Sequence, residues 1–140
     1  MVRCTLIIRV RSSILKANTE KRILAVDDAR IWRDILRENL EESKIAHTVV
    51  GSTAEATTAI ATGEYTGVIT DGLNGGWKTV SAAARAAGAR CVLMSLSLES
   101  IAAAHESGIP AHDKAGMSPE LIQNIIQQLV SAGQPTERPQ

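Results

Sequence analysis

The sequence contains few cysteines, no long apolar run and no excess of charge of either sign. The two cysteines, Cys4 and Cys91, are too few for a disulfide framework, and Cys91 lies in an apolar strand pattern where a thiol behaves as a small hydrophobic group. No apolar stretch approaches the ~20 residues that a membrane-spanning helix needs. These absences argue against a disulfide-rich secreted protein and against a membrane protein, and they favour the cytoplasm.

Charge is balanced over the whole chain but unevenly distributed. Lys and Arg together number 15 in 140 residues, as do Asp and Glu, so the balance gives no indication of nucleic-acid binding. Residues 1–22 are basic, and residues 1–19 lack acids, as transit peptides also do. We interpret residues 1–20 as a basic N-terminal extension, either an arm or a half-buried edge strand, residues 21–132 as one domain, and residues 133–140 as a tail.

From Arg22 onward, short runs rich in β-branched residues alternate with segments of helical period. This pattern predicts βαβ units and a parallel sheet. Strands are expected at about 22–27, 45–50, 66–71, 90–95 and 109–112. Helices are expected at about 30–43, 52–63, 76–87, 99–107 and 118–132. The first helix should bury an apolar stripe formed by Ile31, Ile35, Leu36 and Leu40.

Charged side chains stand where several of these predicted strands end. Asp27 and Asp28 follow the first strand, Asp71 ends the third, and Lys114 follows the fifth. Because the carboxyl ends of parallel strands share a crevice in which ligands bind, we expect these groups to converge. Three clustered acids repel one another unless a hard cation such as Mg²⁺ neutralises them. The arrangement predicts a metal-assisted phosphoryl site with Asp71 as nucleophile and Lys114 as counter-charge.

Each of these residues also has a purely structural interpretation. The acidic pair can cap the first helix, Asp71 can be a turn residue, and Lys114 can be a solvated loop charge. The three histidines, His47, His105 and His112, show no metal-ligand spacing. The two tryptophans, Trp32 and Trp77, are interpreted as packing residues.

The chain from about Lys21 to Ala132 resembles the receiver domain of two-component response regulators. The resemblance is carried by Ile23–Asp28, Val68–Asp71, Val92–Ser95 and Asp113–Lys114. It implies an α/β fold with a doubly wound five-stranded parallel sheet and helices on both faces, the flavodoxin-like receiver fold.

The resemblance also implies a role for each site residue. Asp71 would accept a phosphoryl group from the phosphohistidine of a histidine kinase or phosphotransfer protein. Ser95 would bond a phosphoryl oxygen and Lys114 would pair with it. Asp27, Asp28, Asp71 and the backbone carbonyl of Leu73 would hold Mg²⁺. The implied protein is a stand-alone cytoplasmic phosphoacceptor rather than an enzyme. It would signal by contact with an unknown downstream protein, without nucleic acid or membrane, and homodimerisation stays open.

Several positions depart from the family pattern. Leu96 follows Ser95 where a small residue is usual, so it could crowd the phosphoryl pocket. Ala111 stands where an aromatic switch residue is common, and Ala115 replaces a proline. The alternative is therefore a pseudo-receiver, an interaction module that phosphorylation does not switch. A Mg²⁺-dependent phosphatase is disfavoured because no second acid stands two positions after Asp71.

Overall fold

The computed structural model describes residues 22–131, so the predicted N-terminal extension and C-terminal tail lie outside the described residues. The described chain forms a five-stranded parallel sheet with the order β2-β1-β3-β4-β5. Its strands are β1 Ile23–Val26, β2 His47–Val50, β3 Gly67–Thr70, β4 Arg90–Ser95 and β5 Ala111–Asp113. The chain leaves β1 toward one edge and β3 toward the other, which is a doubly wound topology. The predicted fold class is confirmed.

Five helices connect and follow the strands. They are α1 Arg30–Glu42, α2 Thr53–Ile60, α3 Trp77–Ala86, α4 Leu98–Glu106 and α5 Pro119–Val130, with short 3₁₀ turns at Leu73–Gly75 and Lys114–Gly116. The helices agree with the predicted segments, and most ends shift by one or two residues. Among residues 22–131, no helix is long and apolar enough to cross a membrane.

Helices cover both faces of the sheet because its strands are apolar on both sides. Ile23 and Ala25 of β1 pack in the same cluster as residues of α1 and α5, whereas Leu24 and Val26 pack with residues of α2 and α3. A third cluster joins α3, β4 and α4 through Trp77, Leu93, Ala104 and Ile109. Fully buried strands of this kind are typical of parallel sheets in α/β proteins.

Two sequence expectations are corrected. Ile31 was expected in the buried stripe of α1, but it is 68% exposed, and half-buried Trp32 packs against the core instead. At about 100° per residue, Trp32 lies about 40° around the helix from buried Leu36, whereas Ile31 lies about 140° from it, outside the buried face. The last strand begins at Ala111 rather than at 109, because the amide of Ile109 donates to the Ala104 carbonyl at 2.8 Å.

The predicted start of α2 is confirmed by its capping contacts. The Ser52 hydroxyl accepts from the Glu55 amide at 3.1 Å, and the Glu55 carboxylate accepts from the Gly51 amide at 2.9 Å. These bonds satisfy backbone donors that the first turn of a helix leaves free. They fix the beginning of α2 at the same sheet edge as the acidic residues.

Candidate functional site

The structure brings together the three acids that were predicted to converge. Asp27 and Asp71 directly follow β1 and β3, which are neighbours paired at Val26 and Thr70. The Asp71 amide continues the ladder by donating to the Val26 carbonyl at 2.8 Å. One carboxylate oxygen from each of Asp27, Asp28 and Asp71 lies within 4.8 Å of the others. The pairing register of the two strands therefore sets the spacing of the acids.

Lys114 enters this cluster from the end of β5. Its Nζ lies 2.7 Å from Asp27 Oδ2 and 2.5 Å from Asp71 Oδ1. The lysine side chain is only 4% exposed, so the ammonium is not the solvated loop charge of the structural interpretation. It bridges the buried acid and the candidate nucleophile.

Asp27 and Asp28 occupy different environments although they are adjacent in the sequence. Asp27 is 1% exposed, whereas Asp28 is exposed. Burial raises the pKa of Asp27 above its ordinary value, against the opposing effects of the hydrogen bonds from Lys114 and from the Ala29 amide. No side chain caps α1 at Ala29, so the capping interpretation of the two acids is not supported.

The loop after Asp71 holds the carboxylate in place. Asp71 Oδ2 accepts from the Leu73 amide at 3.0 Å, and Asp71 is half-buried. Leu73 and Asn74 both have left-handed backbone conformations, with φ of 51° and 52°, which cost energy for residues other than glycine. The Leu73 carbonyl accepts from the Gly76 amide at 2.9 Å, and its role as a metal ligand stays a prediction.

Ser95 lies beside the same loop at the end of β4. It is buried, and its hydroxyl accepts from the Ser97 amide at 3.0 Å. A Cβ added at Gly72 would come 3.1 Å from this hydroxyl, so the glycine allows a close approach between the two segments. Among the described residues no hydrogen bond joins Ser95 to Asp71, and its phosphoryl-binding role stays a prediction. Leu96 is 67% exposed and does not fill a pocket.

Two other departures from the family pattern have local structural effects. Ala111 is half-buried and packs against the cluster that contains Trp77 and Leu93. The Ala115 amide donates to Asp113 Oδ1 at 2.9 Å, a bond that proline could not make. The turn that carries Lys114 is thus stabilised by a side-chain cap.

Sequence reasoning missed two contacts of the site, both made by α1. The centroid of the Trp32 ring lies 4.9 Å from Lys114 Nζ. The Arg33 guanidinium donates to the Asp27 backbone carbonyl at 3.0 Å. The sequence positions of Trp32 and Arg33 could have indicated these contacts. A helix that begins soon after β1 places its first turns over the end of that strand.

The composition of the cluster fits a hard divalent cation. Three carboxylates and one ammonium carry a formal net charge of −2 when all are ionised. Oxygen ligands of this kind suit Mg²⁺ or Ca²⁺, and the exposed Asp28 leaves the cluster open to solvent on one side.

Comparisons with known proteins establish the fold. No family model matches the sequence, and no curated protein is significantly similar to it. Solved structures do match. A CheY-like response regulator receiver domain from Methanospirillum hungatei has a TM-score of 0.68 at 20% identity, covering 79% of this chain and 94% of that one. A response regulator receiver protein from Sinorhizobium medicae has a TM-score of 0.68 at 22% identity, covering 81% and 96%.

A third match was solved with a modified side chain and an ion. It is a response regulator from Burkholderia pseudomallei with a phosphorylated aspartic acid, a calcium ion and citrate. Its TM-score is 0.64 at 18% identity, covering 80% of this chain and 69% of that one. Together with the parallel sheet of order β2-β1-β3-β4-β5, these matches show that the described chain has the fold of response regulator receiver domains.

Proposed function

We propose that this chain is a single-domain response regulator receiver that accepts a phosphoryl group on Asp71 from a phosphohistidine. The donor would be a histidine kinase or a phosphotransfer protein. The observation that carries the proposal is the buried ammonium of Lys114, which bridges Asp27 and Asp71 while Asp28 completes a three-acid cluster. A structural ion pair needs one acid, whereas this site gathers the charges that phosphoryl transfer requires.

The geometry suits transfer to an aspartate. Asp71 is oriented by the Leu73 amide on one oxygen and by Lys114 on the other. One of these oxygens attacks phosphorus, the bond from phosphorus to the histidine nitrogen breaks, and the imidazole leaves with the bonding pair. Lys114 then pairs with the charge on the phosphoryl oxygens, and the Ser95 hydroxyl is the proposed second donor. Mg²⁺ held by Asp27, Asp28, Asp71 and the Leu73 carbonyl would neutralise part of that charge.

The product would be a mixed anhydride between a carboxylic acid and phosphate. Such a bond is labile to water, so the modification is reversible and suits a signal. The chain would modify only its own aspartate and would later lose the phosphoryl group. We therefore propose a signalling phosphoacceptor and not an enzyme that turns over a separate substrate.

Exposed apolar side chains support a protein partner at this edge of the sheet. The large hydrophobic residues Ile31, Leu96 and Leu98 are each about two-thirds exposed or more, and all three follow the carboxyl ends of β1 or β4. Exposed apolar groups around a polar site are a feature of protein docking surfaces. We propose that the phosphodonor protein docks here, in the cytoplasm, and that a downstream protein reads the modified state.

A pseudo-receiver is the second candidate, and Ala111 favours it. An aromatic side chain is common at this position in receivers, and the alanine contributes only a methyl group to the cluster around Trp77. In that case the chain would keep the fold as an interaction module, and phosphorylation would not switch it.

Incubation with acetyl phosphate and Mg²⁺, followed by intact-mass measurement, tests the proposal. We expect one phosphoryl adduct on the native chain, none on Asp71→Asn, and a full adduct on the control Asp34→Asn, which changes an exposed acid of α1. Omission of Mg²⁺ should prevent labelling. An unlabelled native chain, or equal labelling of Asp71→Asn, would reject Asp71 as the phosphoacceptor and favour the pseudo-receiver.

A further inference from the structure

We propose that Trp32 is a positioning residue that holds the Lys114 ammonium between Asp27 and Asp71 by a cation–π contact. The Lys114 Nζ lies 4.9 Å from the centroid of the indole ring, well inside the ~6 Å range of this interaction. The lysine side chain is 4% exposed, so little water competes for its charge. Cation–π contacts are strongest when the cation is desolvated in this way.

The contact completes the coordination of the ammonium. A lysine ammonium has three N–H donors, and two of them bond the carboxylates of Asp27 and Asp71. Among residues 22–131 no third acceptor lies within hydrogen-bonding distance of Nζ. The face of the Trp32 ring therefore takes the remaining side of the ammonium, which would otherwise need a water molecule.

The indole is itself held in place by packing. Trp32 lies in the first turn of α1, and its half-buried side chain packs against the core cluster of α1, β1 and α5. A lysine stem has four rotatable bonds, and fixing it costs conformational entropy. A ring fixed on one side by the core and contacting the ammonium on the other removes alternative positions of the lysine. The helix after β1 and the strand β5 are thereby joined at the site.

This inference rests on the proposed function where it predicts chemistry. The ammonium that now bonds Asp71 Oδ1 must pair with phosphoryl oxygens during transfer, so a displaced ammonium slows the reaction. We expect Trp32→Leu, which keeps apolar bulk without a π face, to take up phosphate from acetyl phosphate about 3- to 30-fold more slowly at saturating Mg²⁺. Trp32→Phe keeps a ring and should stay within about 3-fold of the native rate.

The pair of variants separates positioning from packing. If Trp32 served only to fill space, the rates of the two variants would follow their losses of melting temperature, and that result would overturn the inference. Ile35→Ala is the control, because Ile35 packs against the same core cluster from the next turn of α1. It should lower the melting temperature and leave the rate of phosphate uptake near the native value.

A spectroscopic readout tests the contact independently of phosphorylation. In a Trp77→Phe background Trp32 is the only tryptophan, so its emission reports the charge beside the ring. Lys114→Met should shift this emission, and the control Lys78→Met, which removes the lysine 5.9 Å from the other tryptophan, should not. If the Trp77→Phe variant does not fold, Lys114→Met can be compared in the native background with Lys44→Met, which removes an exposed lysine beyond the end of α1.

The two readouts also distinguish the inference from the proposed function. A native chain that takes up no phosphate but shows the Lys114-dependent emission shift would reject the proposed function and keep the contact. A native chain that is phosphorylated, with unchanged emission in Lys114→Met and equal rates in the two Trp32 variants, would reject the contact alone.

Discussion

At the scale of single residues, the molecule is organised around one buried cation. Lys114 bonds two carboxylates, one of them almost completely buried, and each of the three charges is compensated by another. Removing one charge of such a group leaves its partner buried without compensation, which lowers the free energy of unfolding strongly. Removing the charge and its partner together lowers it much less.

We therefore expect Lys114→Met to lower the free energy of unfolding by roughly 3 kcal/mol near neutral pH, because Asp27 loses its counter-charge. Urea denaturation would measure this loss. Lys78→Met is the matched control on the exposed surface of α3 and should change stability little. The double variant Asp27→Asn with Lys114→Met should recover most of the loss, and failure to recover it would show that the pair is not energetically coupled.

The stability lost in Lys114→Met should depend on pH in a defined direction. Burial raises the pKa of Asp27 in the folded state, so folding penalises its charged form. Stability from such a group is present below its unfolded pKa and is lost as the pH rises through the folded pKa. The deficit of Lys114→Met should accordingly shrink as the pH is lowered through that range. A deficit that grows on acidification, measured by urea denaturation at several pH values, would contradict the assignment.

His112 should make the stability of the protein depend on pH in the opposite direction. Burial, and then the nearby His105, lowers the pKa of His112 below its ordinary value in the folded protein. Its contribution is present above the unfolded pKa, near 6.5, and is lost as the pH falls through the folded pKa. His112→Gln should therefore lose less stability than the native chain between about pH 7 and pH 5. Parallel pH profiles of the two proteins in urea denaturation would contradict this.

At the scale of elements, the candidate site depends on how the loop after β3 meets the beginning of α2. A Cβ added at Gly76 would collide with Thr53 Oγ1 and would come 3.1 Å from the Leu73 carbonyl oxygen. The loop that orients Asp71 is thus packed against a capped helix start, with no room for a side chain.

Gly76→Ala should consequently destabilise the protein by about 1–3 kcal/mol, the usual range for inserting a methyl group into a packed contact. Thermal denaturation would detect it as a lower melting temperature. Gly116→Ala is the control, because a Cβ there meets nothing within 4 Å and the backbone has no positive φ. Thr53→Ala should relieve part of the damage, and an additive double variant would show that the clash lies elsewhere.

The elements themselves could be predicted from the sequence because hydrophobic period and capping residues are local signals. The five strands, the five helices and the cap at Ser52 follow from such signals. The exposure of Ile31 was missed because the helical period places it beside Ile35 at the margin of the stripe, and only packing shows on which side of that margin the core lies. The late start of β5 depended on the Ile109 amide, which bonds the Ala104 carbonyl in the helix end formed at Gly108; the glycine signals where α4 ends but not which later residue joins the sheet.

At the scale of the whole molecule, strand order accounts for what could be predicted of the site. Parallel strands bring their carboxyl ends to one edge, which was enough to predict that Asp27, Asp28, Asp71 and Lys114 converge. The contact between Trp32 and Lys114 was not predicted, since it joins the first helix to the turn after the last strand. Side-chain partners that are distant in sequence depend on packing that periodicity does not encode.

The missing aromatic at position 111 leads to a prediction about the whole domain. Ala111 has no ring to fill space behind Ser95, so we expect beryllofluoride, a phosphoryl mimic, to protect mainly the loops at 73–76 and 95–98. Amide hydrogen exchange with and without the mimic measures this, with Asp71→Asn as the control that should show no change. Strong selective changes across 101–112 and 119–130 would refute the idea that the distal face responds weakly.

The brevity of β5 affects how the segment that carries Lys114 is held in the sheet. The acids follow β1 and β3, which are paired on both sides, whereas Lys114 follows a three-residue strand at the sheet edge. Local opening begins where few backbone bonds hold an element, so the contacts of the Lys114 side chain must hold this segment where strand pairing does not. We expect the amides of Ala111–Asp113 to exchange with solvent faster than those of Ile23–Val26, and equal protection of the two strands would contradict this expectation.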